Sequence, residues 1–325
     1  MRRARVSRRV AVLAGTVGLL AGRQSAAAEP FEAWLESLRA ELRSKGISAE
    51  TIRTALSGLR PNPRVLELDR GQPERTLTWA EYRSRVVTEP RIGMGRRAMA
   101  ENRELLRAIE ARFGVPGPVI SAIWGIESNY GTTLGNFPVI QSLATLAYDG
   151  RRAAFFRGEL FNALRILDQG HTALPQMTGS WAGAMGQPQF MPSSFLAYAV
   201  DFDSDGRRDI WQSRADTLAS IGNYLARAQW RAGEGWGFPV RFASGFDFGL
   251  ADGRSMRPLS AWSAVGVRRL DGSLLSPATL FAAIVAPDGA GGEAFALTAN
   301  AQAIRRYNNS TFYVLAVGLL SDLLT

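Results

Sequence analysis

The stretch 119–130 contains a single carboxylate, Glu127, among mostly apolar residues. Prolines precede the stretch and a glycine follows it, which is typical of the two ends of a helix. In a helix, Ile120, Ile123 and Trp124 share a face with Glu127. A carboxyl group that is partly removed from water has a raised pKa and can donate a proton near neutral pH. Glu127 is therefore a candidate general acid; the alternative is a structural carboxylate at the helix rim, paired with an arginine.

Side chains that could surround such an acid occur in two later stretches. The loop 180–189 is rich in glycine and proline yet contains large apolar residues, which indicates a loop that lines a site. The stretch 307–313 supplies tyrosines and asparagines. Aromatic faces, amides and hydroxyls are groups that bind sugars, although an aromatic residue belongs by default to a core.

No second carboxylate follows Glu127 closely in the sequence. Ordinary glycoside hydrolases use two carboxyl groups, one as acid and one as nucleophile or base. A single acid suffices if the substrate supplies its own nucleophile.

A run of aspartates has the spacing of a calcium-binding loop. It comprises Asp201, Asp203, Asp205 and Asp209. These residues fall at positions 1, 3, 5 and 9 of such a loop, with Gly206 at the sharp turn and the carbonyl of Arg207 as a further expected ligand. Position 12, where a bidentate glutamate is typical, is Gln212, so we expect weak binding of Ca²⁺ or a shortened loop. The alternative is an acidic turn that caps a helix without metal; in either case the role is structural.

The composition excludes several kinds of site. The chain has no cysteine, so disulfides, thiol catalysis and cysteine-based zinc sites are excluded. Its one histidine, His171, rules out a multi-histidine metal site and argues against a serine–histidine–aspartate triad.

Residues 1–28 resemble a secretory signal peptide. Arginines precede a short apolar run, and three alanines before Glu29 form a small-residue cleavage site. The pair Arg8–Arg9 also resembles a twin-arginine export signal. The alternative, a membrane anchor, needs an apolar run about twice as long. Removing this leader takes away six arginines and lowers the net charge from +9 to +3, so binding to nucleic acid loses its main support.

The first part of the mature chain is predicted to be helical, because apolar residues recur there at three-to-four spacing. The predicted elements are helices over 31–42 and 48–56, a loop over 58–75, a helix capped by Thr78 and Glu81, and a longer helix from Pro90 toward Phe113.

The helical pattern continues beyond residue 113, and a short strand-rich segment then interrupts it. Further helices are predicted over 118–130, 138–147, 151–168, 192–200, 214–229 and 299–320. Alternating apolar residues and Asp-Gly turns predict a small β subdomain. The predicted division is a leader at 1–28, an N-terminal helical lobe at 29–113, a helical core with the calcium loop at 114–236, a β subdomain at 237–298 and a C-terminal helix at 299–325.

Six motifs of the chain resemble the membrane-bound lytic murein transglycosylase B family and its soluble relatives. They are IWGIESNYG at 123–131, GNFPVI at 135–140, LAYDGRR at 146–152, GSWAGAMGQPQFMPSS at 179–194, DFDSDG at 201–206 and RYNNS at 306–310. The resemblance covers nearly the whole mature chain. It implies a mainly α fold, with a lysozyme-like helical core, an added helical lobe and a small inserted antiparallel β subdomain.

The resemblance also implies a reaction. In this family the β-1,4 bond between N-acetylmuramic acid and N-acetylglucosamine of peptidoglycan is cleaved without water. Glu127 would protonate the leaving oxygen and then, as a carboxylate, take the proton of the muramyl 6-hydroxyl as a 1,6-anhydro ring closes. The missing second carboxylate is consistent with this mechanism.

The family motifs further imply roles for particular residues. Ser180 and Gln189 would contact the sugars, and the opposite wall would be lined by Tyr307, Asn308 and Tyr313. Tyr82 matches an active-site tyrosine within a looser motif. Arg151 and Arg152 would meet carboxylates of the substrate. For the two arginines the alternative is a solvent-exposed start of a helix. Pro188 and Gln212 depart from the family pattern.

Two other functions remain open at this stage: a hydrolytic muramidase, in which water attacks, and an inactive scaffold that binds peptidoglycan. The expected partner is the peptidoglycan glycan strand, with other cell-wall enzymes as further candidates. The lack of a cysteine after the leader argues against a lipid anchor. We therefore expect a soluble, monomeric periplasmic protein with structural Ca²⁺ and no organic cofactor.

Overall fold

A computed structural model describes residues 30–71 and 77–325. Within these ranges the chain forms fourteen α-helices and seven short strands, so the prediction of a mainly α fold is confirmed. The predicted signal peptide lies outside the described residues. None of the helices in the described ranges is both long enough and apolar enough to cross a membrane.

The chain begins with four short helices, of which one was not expected. They are α1 (Phe31–Ser44), α2 (Ala49–Leu56), α3 (Pro63–Arg70) and α4 (Trp79–Val86). The predicted loop over 58–75 is therefore wrong at α3. The side chain of Asn62 accepts a hydrogen bond from the backbone of Arg64, and Pro63 occupies the first turn, where its missing N–H costs nothing. The predicted capping box of α4 is present.

The single helix predicted from Pro90 to Phe113 is two helices, α5 (Glu89–Glu101) and α6 (Arg103–Phe113). Asn102 interrupts them with a backbone φ of −111°, and its side-chain amide donates to the carbonyl of Ala98 at 2.6 Å. Asparagine competes in this way for backbone hydrogen bonds that would otherwise continue a helix.

Five helices and a two-stranded ribbon form the centre of the molecule. They are α7 (Gly117–Ser128), β1 (Phe137–Pro138), α8 (Val139–Asp149), α9 (Ala153–Asp168), β2 (Thr178–Gly179), α10 (Pro192–Tyr198) and α11 (Arg214–Arg227). Each helix predicted for this region is present, with ends that differ by up to two residues. Strands β1 and β2 pair antiparallel and lead the chain into the loop that begins at Ser180.

The small β subdomain is an antiparallel sheet with strand order β4-β6-β7-β3-β5. Its elements are β3 (Gly237–Phe242), β4 (Arg257–Pro258), α12 (Leu259–Ala264), β5 (Val267–Arg268), β6 (Phe281–Val285) and β7 (Ala294–Leu297). The register pairs Val240 with Ala294 and Val285 with Phe295. One face of the sheet buries its own small apolar cluster around Trp262.

The chain then returns to the centre through α13 (Ala299–Tyr307) and α14 (Thr311–Leu323). The one helix predicted here is broken because Asn308 is extended and the side chain of Ser310 caps α14. Helix α14 packs along α7 in one large apolar cluster, to which α4 to α6 and α11 also contribute. Helices α1 to α3 pack instead with α8 to α10, so the predicted lobe 29–113 divides between two clusters.

Candidate active site

Helix α7 presents Glu127 on the face predicted from its sequence. Ile120, Ile123 and Trp124 are buried on that face. The helix ends at Ser128, two residues earlier than predicted, because Asn129 adopts the left-handed conformation with φ of 50°. Glu127 therefore lies in the last turn of a helix whose remaining surface is almost entirely enclosed.

The next residue, Tyr130, is also left-handed, with φ of 58°. This strained backbone turns the tyrosine ring back onto α7, where it fills the space in which Gly125 lacks a side chain. The ring meets Trp124 edge-on at a centroid distance of 5.5 Å, and its hydroxyl donates to the carbonyl of Arg91. The conformation after α7 thus attaches the end of the helix that carries Glu127 to α5.

The carboxyl group of Glu127 has a raised pKa of about 7. Removal of the group from water is the main cause, and the hydrogen bond donated by the Tyr313 hydroxyl at 2.6 Å acts in the opposite direction. A group with this pKa has both protonation states within easy reach near neutral pH, so it can donate a proton and later accept one.

Tyrosines form the surroundings of this acid. Burial and, after it, the negative charge of Glu127 raise the pKa of Tyr82, Tyr307 and Tyr313. The rings of Tyr307 and Tyr313 are parallel to within 11° at a centroid distance of 6.4 Å. The structure therefore brings these three predicted residues to Glu127 from α4, α13 and α14, although they are far apart in the sequence.

The loop after β2 is held in shape by its own polar groups. The hydroxyl of Ser180 accepts from the backbone of Ala184, and the amide of Gln189, a residue with φ of 50°, donates to the carbonyls of Gly186 and Leu134. In this conformation both predicted sugar ligands support the loop. Asn308 lies at the turn between α13 and α14, where its side chain accepts from the backbone of Ser310.

Gln187, which the sequence analysis did not single out, joins this loop to α7. Its buried side-chain carbonyl accepts from the indole of Trp124 at 2.9 Å, and its amide donates to the carbonyl of Trp211 at 3.0 Å. The carbonyl of the adjacent Pro188 accepts a hydrogen bond from the hydroxyl of Tyr307 at 2.6 Å. An uncharged amide inside an apolar, glycine-rich loop was the available sequence signal for this role.

The contacts of Arg151 and Arg152 are with the N-terminal helices and α9 rather than with Glu127. Arg151 donates to the buried carboxylate of Asp69 at 2.9 Å. Arg152 is left-handed, and its guanidinium lies over the rings of Phe155 and Phe156. Arg151 is thus a link between α3 and the start of α9 in this structure.

Carboxylates of the predicted calcium loop converge with one that was not predicted. Ligand atoms of Asp201, Asp203 and Asp216 lie within 4.8 Å of one another. Asp216 belongs to the first turn of α11, and its position four residues beyond the standard loop explains why the loop pattern missed it.

The other predicted ligands make different contacts. The side chain of Asp205 pairs with Arg207, and Asp209 accepts backbone hydrogen bonds from Trp211 and Gln212. His171 packs beside this loop, where its ring contacts Arg208, and it has no contact with Glu127 among the hydrogen bonds of the described residues.

Comparison with known proteins identifies the family of the chain. A family model described as "Transglycosylase SLT domain" matches residues 30–322. Membrane-bound lytic murein transglycosylase B of Escherichia coli (strain K12) is 31% identical over 248 residues, which cover 75% of this chain and 66% of that protein, just under two thirds of its length.

Solved structures extend the comparison to the fold. SltB3 from Pseudomonas aeruginosa in complex with NAG-anhNAM-pentapeptide superposes with a TM-score of 0.88 at 45% identity, covering 90% of this chain and 78% of that one. The Escherichia coli lytic transglycosylase Slt35 in complex with calcium superposes with a TM-score of 0.77 at 27% identity, covering 89% of this chain and 92% of that one. The expectation of a lysozyme-like transglycosylase fold is thereby confirmed. The chain belongs to the transglycosylase SLT domain family.

Proposed function

We propose that this protein is a lytic transglycosylase, which cleaves the β-1,4 bond between N-acetylmuramic acid and N-acetylglucosamine of peptidoglycan and releases 1,6-anhydromuramyl products. The observation that carries the proposal is the single carboxyl group of Glu127, with a pKa raised to about 7 and a hydrogen bond from Tyr313. The relative SltB3 binds NAG-anhNAM-pentapeptide, which contains the expected product sugar.

Glu127 acts first as the acid. The protonated carboxyl group gives its proton to the glycosidic oxygen, and the bond to the anomeric carbon breaks. The Tyr313 hydroxyl then stabilises the carboxylate that this step leaves behind.

Glu127 acts next as the base. Its carboxylate takes the proton of the muramyl 6-hydroxyl while that oxygen forms a bond to the anomeric carbon. The proton count returns to its starting value, so one group serves both steps. The charge of Glu127 raises the pKa of three phenols, those of Tyr82, Tyr307 and Tyr313. Phenols around the acid are consistent with a reaction that uses no second carboxylate.

The substrate is expected to lie between the rings of Tyr307 and Tyr313 on one side and the loop after β2 on the other. Hydroxyl and amide groups for the sugars come from Ser180, Gln189 and Asn308. When these side chains rotate, they exchange their hydrogen bonds within the protein for hydrogen bonds to the substrate. Arg151 and Arg152 are exposed enough to meet carboxylates of the peptide stems at the far end of the glycan strand.

We also propose a structural Ca²⁺ site in the loop 201–209. Asp201, Asp203 and Asp216 supply the carboxylates that converge there, and the relative Slt35 has been solved in complex with calcium. Oxygen ligands of this kind suit Ca²⁺. The predicted leader would place the mature protein in the periplasm, beside its glycan substrate.

Digestion of purified sacculi with the mature protein, followed by mass spectrometry of the released muropeptides, tests the reaction. Anhydro products, lighter by one water than hydrolytic products, support the proposal. Hydrated reducing ends would identify a muramidase instead, and binding without release would identify a scaffold. Glu127→Gln should reduce release by at least about 10³-fold, since general acid–base catalysis contributes up to about 10⁴-fold and this group acts twice. Release that survives this substitution would show that another group is the acid.

A further inference from the structure

Two carboxylates of the β subdomain hold the start of α4. Asp288, in the turn after β6, accepts hydrogen bonds from the backbone N–H groups of Trp79 at 2.6 Å and Ala80 at 3.0 Å. Glu293, which precedes β7, accepts from the indole N–H of Trp79 at 2.7 Å and forms an ion pair with Arg83. More than 200 residues of sequence separate the partners in each of these contacts.

This attachment is separate from the helix's own cap. Thr78 and Glu81 exchange hydrogen bonds with each other's backbone and side chain, so the local capping box serves only those two residues. The N–H groups of Trp79 and Ala80 have no partner within a helix, and a carboxylate at a helix N-terminus is favourable. Asp288 supplies that carboxylate from another part of the fold.

The contact of Glu293 reaches into the core. The side chain of Trp79 is completely buried, so its indole N–H needs an acceptor. The Trp79 ring lies against Phe295 of β7 at 6.0 Å and against Phe312 of α14 at 5.7 Å. Trp79 therefore connects the β subdomain with α14, the helix that carries Tyr313.

Helix α4 carries Tyr82, one of the tyrosines whose pKa the negative charge of Glu127 raises. Tyr82 stacks on Trp79 at a centroid distance of 6.3 Å and packs against Phe312 at 5.6 Å. The residue after Phe312 is Tyr313, which donates to Glu127. The position of the Tyr82 ring relative to Glu127 thus depends on the position of the first turn of α4.

We propose that Asp288 and Glu293 are positioning residues, which set the place of Tyr82 in the catalytic cleft by holding α4 against the β subdomain. The inference rests on the proposed function, because it assigns Tyr82 a contact with the sugar near the cleaved bond. It gives the β subdomain a part in the reaction although that subdomain contributes no group to Glu127.

The test combines Asp288→Ala and Glu293→Ala with Tyr82→Phe in double-mutant cycles. Each alanine variant should lower kcat/KM on glycan strands by about 5- to 50-fold, since displacement of a positioning group by about 1 Å can cost about 100-fold. When Tyr82→Phe is already present, each alanine substitution should lower kcat/KM by a further factor of less than about two. Glu293→Gln keeps an acceptor for the indole and should recover most of the activity.

Asp252→Ala is the matched control. Asp252 is an exposed carboxylate of the same subdomain, and within the described part of the chain its side chain accepts hydrogen bonds from Arg254 and Ser255 in its own loop. Its loss should leave kcat/KM unchanged while perturbing the subdomain to a similar degree, as monitored by the melting temperature.

Binding of a NAG-anhNAM-peptide fragment, measured by calorimetry in the same set of variants, gives a second readout that needs no turnover. Equal activity and binding in the three alanine variants, Asp288→Ala, Glu293→Ala and Asp252→Ala, would overturn the proposal. The proposal would also be overturned if Asp288→Ala and Glu293→Ala lowered kcat/KM as much in the Tyr82→Phe background as in the unmodified protein. Failure of the unmodified protein to release anhydro products would instead contradict the proposed function.

Discussion

At the scale of the residue, the pKa of Glu127 results from two opposing effects. Burial raises it, and the hydrogen bond from Tyr313 lowers it again toward neutrality. With burial alone the pKa would be higher, and the carboxyl group would hold its proton. With the hydrogen bond alone the pKa would be low, and the group would carry no proton to donate. Their balance near pH 7 allows one carboxyl group to act as acid and then as base.

The pH dependence of the reaction follows from this balance. The first step needs protonated Glu127, so kcat/KM should fall as the pH rises through about 7. Tyr313→Phe removes the hydrogen bond that lowers the pKa, and the descending limb should therefore move to higher pH. Profiles of initial rate against pH for the two proteins measure the shift.

Tyr148→Phe is the control for this substitution, because the ring of Tyr148 packs on Phe31 and Trp34 in another part of the fold. Its profile should coincide with that of the unmodified protein. A descending limb that moved to lower pH in Tyr313→Phe would contradict the assigned role of Tyr313.

At the scale of the element, the end of α7 depends on a close approach between helix and ring. A Cβ atom on Gly125 would lie 2.4 Å from the ring of Tyr130, which is enclosed and rigid. The left-handed backbone at Asn129 and Tyr130 directs the ring to this place. Glycine at position 125 is thus required by the turn that follows Glu127.

Gly125→Ala should lower the free energy of unfolding by roughly 1–3 kcal/mol, because the added methyl group overpacks this contact. Denaturant titration followed by circular dichroism measures the change.

Gly158→Ala in α9 is the matched control. Gly158 is an exposed helical glycine with no neighbouring heavy atom within 4 Å of the added Cβ. The Gly158→Ala substitution should raise the free energy of unfolding by about 0.5–1 kcal/mol, as expected when alanine replaces glycine in a helix interior. Equal effects at the two positions would show that the Tyr130 ring does not restrict α7.

At the scale of the whole molecule, the described residues bury their apolar side chains in three separate clusters. Helix α7 belongs to one cluster and the β1–β2 ribbon with its following loop to another, while the β subdomain has its own. The buried side chain of Gln187 connects the first two through Trp124 and Trp211. The predicted calcium loop continues directly to Trp211 in this junction, so an ion bound there would stabilise the contact between the two clusters.

Addition of millimolar Ca²⁺ should raise the melting temperature by about 2–5 °C, because an ion that binds only the folded state stabilises it. Asp203→Asn removes one converging carboxylate at an exposed position and should abolish the increase. Asp271→Asn, in a turn of the β subdomain, should retain it. A shift of the same size in all three proteins would locate the ion elsewhere.

Several elements could be predicted from local sequence, and the errors have local causes. Recognition of the family and of the mainly helical fold is confirmed. Helix α3 was missed because prolines around it indicated a loop, although Asn62 followed by Pro63 is also a helix start. The break at Asn102 depends on a side-chain hydrogen bond whose occurrence the apolar pattern does not reveal.

The sequence alone determined that Glu127 lies on an apolar helix face, that its near neighbours include no second acid, and which family the motifs resemble. Only the tertiary structure decided that Tyr313, 186 residues away, donates to Glu127, that Asp216 converges with Asp201 and Asp203, and that carboxylates of the β subdomain accept hydrogen bonds from the start of α4. The physical reason is that periodicity and spacing act over a few residues, whereas burial and hydrogen bonds between distant segments exist only after the chain has packed.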